Sequence, residues 1–185
     1  MKTNIIPAIR LTIVTLVFFS VLYPGLIWGV AQLAPNRGHG EVVVANGKKY
    51  YTNVGQTFTE DQFFNNRPSA VDYNAAGSAG SNKGPSNPEY LAMVKARIDT
   101  FRVHNSDVDL KDIPVELVTA SGSGLDPDIS PKAALVQVKR IAAVRKVSED
   151  AIVNLIDSHT EKPLFGMFGP AKVNVLGLNL ALEKL

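Results

Sequence analysis

LTIVTLVFFSVLYPGLIWGVAQLA, residues 11–34, contains no Asp, Glu, Lys, Arg or His. As an α-helix a run of this length reaches roughly 36 Å, against a hydrocarbon core of about 30 Å. A soluble core helix turns one face to water and carries Lys or Glu there, so the run reads as a membrane span. The rival reading is a cleaved signal peptide, because Lys2 and Arg10 supply a basic start and Pro24-Gly25 closes a shorter apolar core. Its cleavage site, Gly29-Val30-Ala31, is poor, and Leu26, Ile27, Trp28 and Val30 carry the apolar run past Pro24, which favours an uncleaved anchor. Pro24 is expected to kink the helix, and Tyr23 and Trp28 to mark the outer interface. Gly25 and Gly29 form a small-xxx-small pair that lets another helix approach. Basic residues lie before the span (Lys2, Arg10) and after it (Arg37, Lys48, Lys49), so counting them does not orient it. A tail of residues 1–10 cannot fold, however, and an uncleaved signal-like segment keeps its basic end in the cytoplasm. The expected order is a cytoplasmic tail (1–10), a transmembrane helix (11–34) and an extracytoplasmic domain (35–185).

A chain of 185 residues has room for that span and one domain of ordinary size. At 45% apolar and 19% charged residues the domain can bury a core. A net charge of +2, with no basic face or interleaved aromatics, argues against nucleic acid as a partner. The absence of cysteine excludes disulfides, zinc-finger spacing and thiol catalysis.

Beyond a linker at 35–40, the runs 41–45 and 48–52 meet across Asn46-Gly47, which predicts a β-hairpin with a type I′ turn. Residues 65–88, rich in Asn, Ser, Gly, Ala and Pro, hold no sustained period and read as one long loop, the kind of segment that is either disordered or a functional surface. Asn87 offers an N-cap and Pro88 a first helical position for a helix to about Arg102. Leu91, Val94, Ile98 and Phe101 are expected to face its core side, and Lys95, Arg97 and Asp99 water. Ser130 and Ser148 cap two further predicted helices, 131–145 and 149–157. Residues 115–119 read as β-like, and the apolar tail 173–182 as a buried strand. The sum is a small mixed α+β domain without βαβ rhythm.

Chemistry is poorly provided for. Ser121 and Ser123 lie in a run that lacks the full G-x-S-x-G elbow, and His39, His104 and His159 fall where surface or capping roles are expected. Asp126 and Asp128 flank Pro127, and turn chemistry outweighs a cation site there. The glycine-rich run 77–84 fails as a P-loop, since Lys83 precedes Gly84 and Pro85 removes a donor. No catalytic residue and no metal ligand is assigned.

Two long motifs nevertheless stand out. The first is 64–70, Phe-Asn-Asn-Arg-Pro-Ser-Ala, with Tyr73-Asn74, Ser81-Asn82 and 84–88, Gly-Pro-Ser-Asn-Pro. The second is 118–127, Val-Thr-Ala-Ser-Gly-Ser-Gly-Leu-Asp-Pro, with Ile129-Ser130-Pro131, Ala133-Ala134, Gln137, Arg140 and Arg145; the tail adds 173–176 and 178–182. Together they resemble the signatures of KdpC, the small subunit of the Kdp potassium-transporting P-type ATPase, over nearly the whole chain. The sequence departs from the common family pattern at Ala79, Lys83 and Asp128.

The resemblance implies a bacterial inner-membrane complex for potassium uptake, with a KdpA-like channel subunit, a KdpB-like ATPase subunit and a KdpF-like small subunit as partners. It implies an accessory, non-catalytic role: stabilising the complex and raising the ATP affinity of the hydrolysing subunit as a catalytic chaperone. ATP and potassium would be handled by the complex, with no cofactor on this chain. The family's serine-glycine run, here Ser121, Gly122, Ser123 and Gly124, and its glutamine, here Gln137, have been likened to the signature of ABC transporters. An extracytoplasmic domain cannot reach cytoplasmic nucleotide, so any effect on ATP affinity is expected to be conformational. The loop then reads as a docking surface, with Arg67, Pro68, Ser69, Tyr73, Asn74, Ser81, Asn82 and Asn87 as candidates. For Arg67, an interface ion pair or carbonyl clamp and an intradomain role holding the loop together both remain open. From a different class, an independent membrane-anchored extracytoplasmic binding protein is the alternative.

Overall fold

The structure, a computed structural model, describes residues 4–45 and 47–185; Lys2 and Asn46, invoked above, lie outside the described residues. The chain divides into two units, Met1–Val44 and Ala45–Leu185.

The first unit is built on α1 (Ile5–Ala31), 27 residues long and, among the described residues, the one helix long and apolar enough to cross a membrane. None of its residues is buried, and a helix apolar on all sides is composed as a membrane-spanning helix would be. It begins before the expected span, taking Arg10 into its first turns, and ends at Ala31. Pro24 has no N–H to give and its ring crowds the carbonyl four residues back. The helix accommodates it with a π-helical turn at Phe18–Leu22, in which the Tyr23 N–H reaches back to the Phe18 carbonyl.

The predicted hairpin is present: β1 (Val42–Ala45) and β2 (Lys48–Tyr51) pair, and Gly47 takes φ 75°, the positive value its turn requires. In the second unit the predicted loop is irregular throughout. It feeds α2 (Pro88–His104), whose N-cap is formed as expected by Asn87 Oδ1 accepting from Tyr90 N at 3.0 Å. A three-stranded antiparallel sheet follows in the order β3 (Asp128–Ile129), β5 (Lys172–Asn174), β4 (Thr160–Glu161). Helices α3 (Pro131–Leu135), α4 (Val138–Arg145), α5 (Glu149–His159) and α6 (Val175–Leu182) complete the domain. Ser130 and Ser148 cap α3 and α5 as predicted. Phe64, Ile129, Ile141, Ile152, Ile156, Val173, Leu178 and Leu182 form the centre of one core. The fold class is α+β, as read.

Four local expectations are corrected. The tail 173–182 is a strand only at its start: Asn174 Oδ1 accepts from Gly177 N at 2.9 Å and so caps α6, which buries Val175, Leu176, Leu178, Asn179 and Leu182. The half-exposed stripe of this helix, Gly177, Leu180 and Ala181, carries no polar side chain, so no polar face betrays its period. Residues 115–117 form a 3₁₀ turn, because the N–H groups of Val118 and Thr119 both return to the Val115 carbonyl; β-branched composition yields to local bonding. The helix over 131–145 is broken at Val136-Gln137 into α3 and α4. Finally, α2 buries none of its residues: Leu91 is exposed, while Arg97, expected in water, is half-buried and donates to the Val118 carbonyl at 3.3 Å.

Candidate functional site

The irregular segment 58–67 has no ladder to satisfy its backbone, and every buried N–H and C=O needs a partner. Side chains from α4, from Gln137 just before it and from α6 supply them. Asn179, fully buried in α6, accepts from Phe64 N at 2.8 Å and donates to Phe64 O at 3.0 Å, imitating a β-pairing. Gln137, also fully buried, accepts from Asn65 N at 2.8 Å through Oε1 and donates through Nε2 to Ala133 O at 3.0 Å. Arg140 reaches across with its whole fork: Nε to Asn105 Oδ1, Nη1 to the carbonyls of Asp61 and Phe63, Nη2 to Asn65 Oδ1 and Gln137 Oε1. Burial lowers the Arg140 pKa from its ordinary value, with Asp61 opposing, but an arginine stays charged. Arg145 donates to the Gln62 and Leu182 carbonyls and lies over the Phe63 ring.

On this platform the two motifs fold onto one another. Arg67 Nη1 pairs with Asp126 Oδ2 at 2.8 Å, Asn66 Nδ2 donates to Asp126 O at 3.0 Å, and Ser121 N donates to Pro68 O. Ser69 Oγ donates to Gly124 O at 2.7 Å and accepts from Val71 N and Tyr73 N. Gly124 has φ 68°, and a Cβ there would stand 2.6 Å from Val71 Cγ2 and 2.8 Å from Ala79 O, so only glycine allows this approach. The Tyr73 hydroxyl donates to the Arg67 carbonyl. Its pKa is pushed up to about 12, by burial first and by Asp126 second, with Arg67 opposing.

The candidate residues therefore separate. Arg67, Pro68, Ser69 and Tyr73 are half-buried and bonded within the domain; Asn87 is spent on its helix cap. Of the two roles left open for Arg67, the structure contains the intradomain ion pair. Asn74, Ser81 and Asn82 are exposed. Ser81, Lys83, Tyr90 and Arg97 line a cavity of 480 Å³. Beside it a groove of 510 Å³ runs along α2 past Phe58, Met93, Thr100, Phe101 and His104. The outer rim of the loop and the groove side of α2 thus form one open face of this domain.

Ser121 and Gln137 offer no polar atom outward. Ser121 is buried with Oγ accepting from Gly124 N at 2.9 Å, and the run 121–124 leads into extended chain and β3, not into a helix N-terminus. Gly122 and Ser123 are exposed, and Ser123 Oγ accepts from Leu125 N. His104 pairs with Asp61 at 2.8 Å and His159 Nδ1 sits 2.9 Å from the Leu155 carbonyl. Among the described residues no cluster of three or more His, Cys, Asp or Glu could hold a metal. Two of the sequence's departures from the family pattern have clear local partners: Lys83 pairs with Glu89 and Asp128 with Lys172.

Comparison with known proteins decides the family. The sequence pattern described as "KdpC: K+-transporting ATPase, c chain" matches residues 5–184. The chain belongs to the KdpC family. A protein of Bacteroides fragilis (strain ATCC 25285) called "Potassium-transporting ATPase KdpC subunit" is 56% identical over 189 residues, covering 100% of this chain and 98% of its own length. A Flavobacterium johnsoniae protein of the same name is 52% identical over 183 residues, 98% of each chain. One from Caldanaerobacter subterraneus subsp. tengcongensis is 42% identical over 176 residues, 94% of this chain and 91% of its own. The KdpC motifs quoted from the sequence are the segments that lock together here, 64–74 against 118–127. Sequence reasoning overlooked Asn105 and Asp61 as Arg140 partners. A lone amide within an apolar run, such as Asn179 in 175–182, is the signal by which such a polar core can be found.

Proposed function

We propose that this chain is the accessory subunit of an ATP-driven potassium uptake complex, anchored by α1 in a bacterial inner membrane with residues 35–185 on the extracytoplasmic side. The observation that carries this reading is end-to-end similarity, 56% identity over the full chain, to proteins named as subunits of a potassium-transporting ATPase. The partners are a KdpA-like channel subunit, a KdpB-like ATPase subunit and a KdpF-like small subunit.

Within the complex the chain stabilises assembly and raises the ATP affinity of the hydrolysing subunit at a distance. Ser121 and Gln137, the residues that a direct nucleotide contact would use, are buried and bonded internally, which supports an indirect effect. The domain must then bind one transport state more tightly than another. Asn74, Ser81, Asn82 and the groove side of α2 are the surface available for that contact.

The test is purification of the full chain in mild detergent through a tag after Leu185. A multispan ATPase should co-purify. The complex lacking this chain should need more ATP for half-saturation, while the full chain alone binds none. A solitary monomer with ligand affinity of its own would instead make it an independent anchored binding protein.

A further inference from the structure

Between β4 and β5 the chain makes a second tight reversal. Leu164 and Phe168 exchange both backbone hydrogen bonds at 3.0 Å, and Phe165, Gly166 and Met167 form the tip. Its four large side chains point away from the domain: Leu164 is 63% exposed, Phe165 82%, Met167 76% and Phe168 61%. Scattered exposed apolar residues are ordinary, but a contiguous cluster marks a surface that something covers. Phe165 also holds a positive φ of 54°, which a bulky side chain adopts at a cost. The turn's own backbone hydrogen bonds offset that cost, whereas the exposure of the four side chains is left uncovered by the domain.

We propose that this tip, residues 163–168, inserts into the interfacial region of the lipid bilayer as a second, shallow membrane contact. Two observations favour lipid. No charged residue occurs from Pro163 to Ala171, and although Lys172 at one foot of the hairpin is drawn toward Asp128 and Glu161, the exposed Lys162 at the other foot is placed for anionic headgroups, an apolar tip with a cation beside it that suits headgroups over acyl chains. Second, residues 32–41 between α1 and β1 can extend at most roughly 35 Å. A domain of about this size has a radius of gyration near 14 Å, so the tether keeps the tip within reach of the surface at high effective concentration. Each large apolar side chain leaving water contributes roughly tenfold to such partitioning.

The inference rests on α1 being a bilayer anchor, and the experiment separates the two. The full chain carrying Trp28→Phe and Phe165→Trp is reconstituted alone into phosphatidylethanolamine–phosphatidylglycerol vesicles; a Trp28→Phe, Met167→Trp chain provides a second reporter. Flotation with the vesicles reports the anchor. Tip insertion predicts blue-shifted tryptophan emission, quenching by lipids brominated near the headgroup end of the acyl chain, and protection from iodide. Water-like emission open to iodide, in a chain that still floats, overturns the tip proposal and leaves the anchor standing. Shielding that arises only after the other subunits of the ATPase are added also overturns it, and gives the tip to a protein partner.

Discussion

Tyr73 folds the first turn of the locked loop back onto its start. Its backbone N–H donates to Ser69 Oγ and its hydroxyl to the Arg67 carbonyl, beside the Arg67–Asp126 ion pair. Its folded-state pKa lies above the value of 10.0 expected in the unfolded chain, at about 12. A raised pKa means that the unfolded state loses its proton first. The contribution is therefore whole below pH 10 and is lost as pH climbs toward 12. Tyr73→Phe should cost about 1 kcal/mol near neutrality, one hydrogen bond, and should flatten the alkaline fall in thermal stability of the detergent-solubilised chain between those pH values. Parallel melting curves for the two proteins would contradict this. The same loop shows what sequence could reveal at this scale. The local bonds of Asn87 and Asp126 were legible, because a cap and a turn act within three residues. The reach of Arg140 to Asp61 and Asn105, or of Asn179 to Phe64, was not, because those contacts join segments far apart in the chain.

Among the secondary-structure elements, the helix starts marked by a cap before Pro or Glu were read correctly, while the break within 131–145 and the buried terminal helix were not. Ser130 and Ser148 announce α3 and α5 whatever surrounds them. The terminal run was misread because even the half-exposed stripe of α6, Gly177, Leu180 and Ala181, carries no polar side chain, so that helix and strand present the same apolar string; Asn174 was the clue. It caps α6 through Gly177 N and ties the helix to the hairpin and β3 side through Thr52 O at 2.7 Å and Asp128 Oδ1 at 3.4 Å. Asn174→Ala should therefore lower unfolding free energy by about 1–2 kcal/mol, the upper part of the range of about 0.5–2 kcal/mol for a lost cap. Ser148→Ala, whose cap is exposed, should lie at the lower end of that range by chemical denaturation. Equal and negligible effects would mean that α6 needs no cap. The exposed face of α2 follows the same logic. Its apolar spacing at Val94, Ile98 and Phe101 was real, but these residues are only half-buried, and Met93 opens onto the groove.

For the whole molecule, two features extend across most of the sequence: an uncharged helix near the amino terminus and a set of family motifs in the remainder. The helix was legible because hydrocarbon accepts no charge and needs a minimum length, and its observed extent, Ile5–Ala31, is shifted toward the amino terminus of the expected one. The mutual locking of the motifs was not legible, since neither motif states its partner. The proposed role depends above all on which side of the membrane receives residues 35–185. Protease treatment of intact spheroplasts producing the chain with a tag after Leu185, combined with the mass of the purified protein, tests this directly. The account predicts that the tag is digested without lysis and that the mature protein retains α1. A tag protected until the cells are lysed, or a mature chain that begins beyond Ala31, would contradict it.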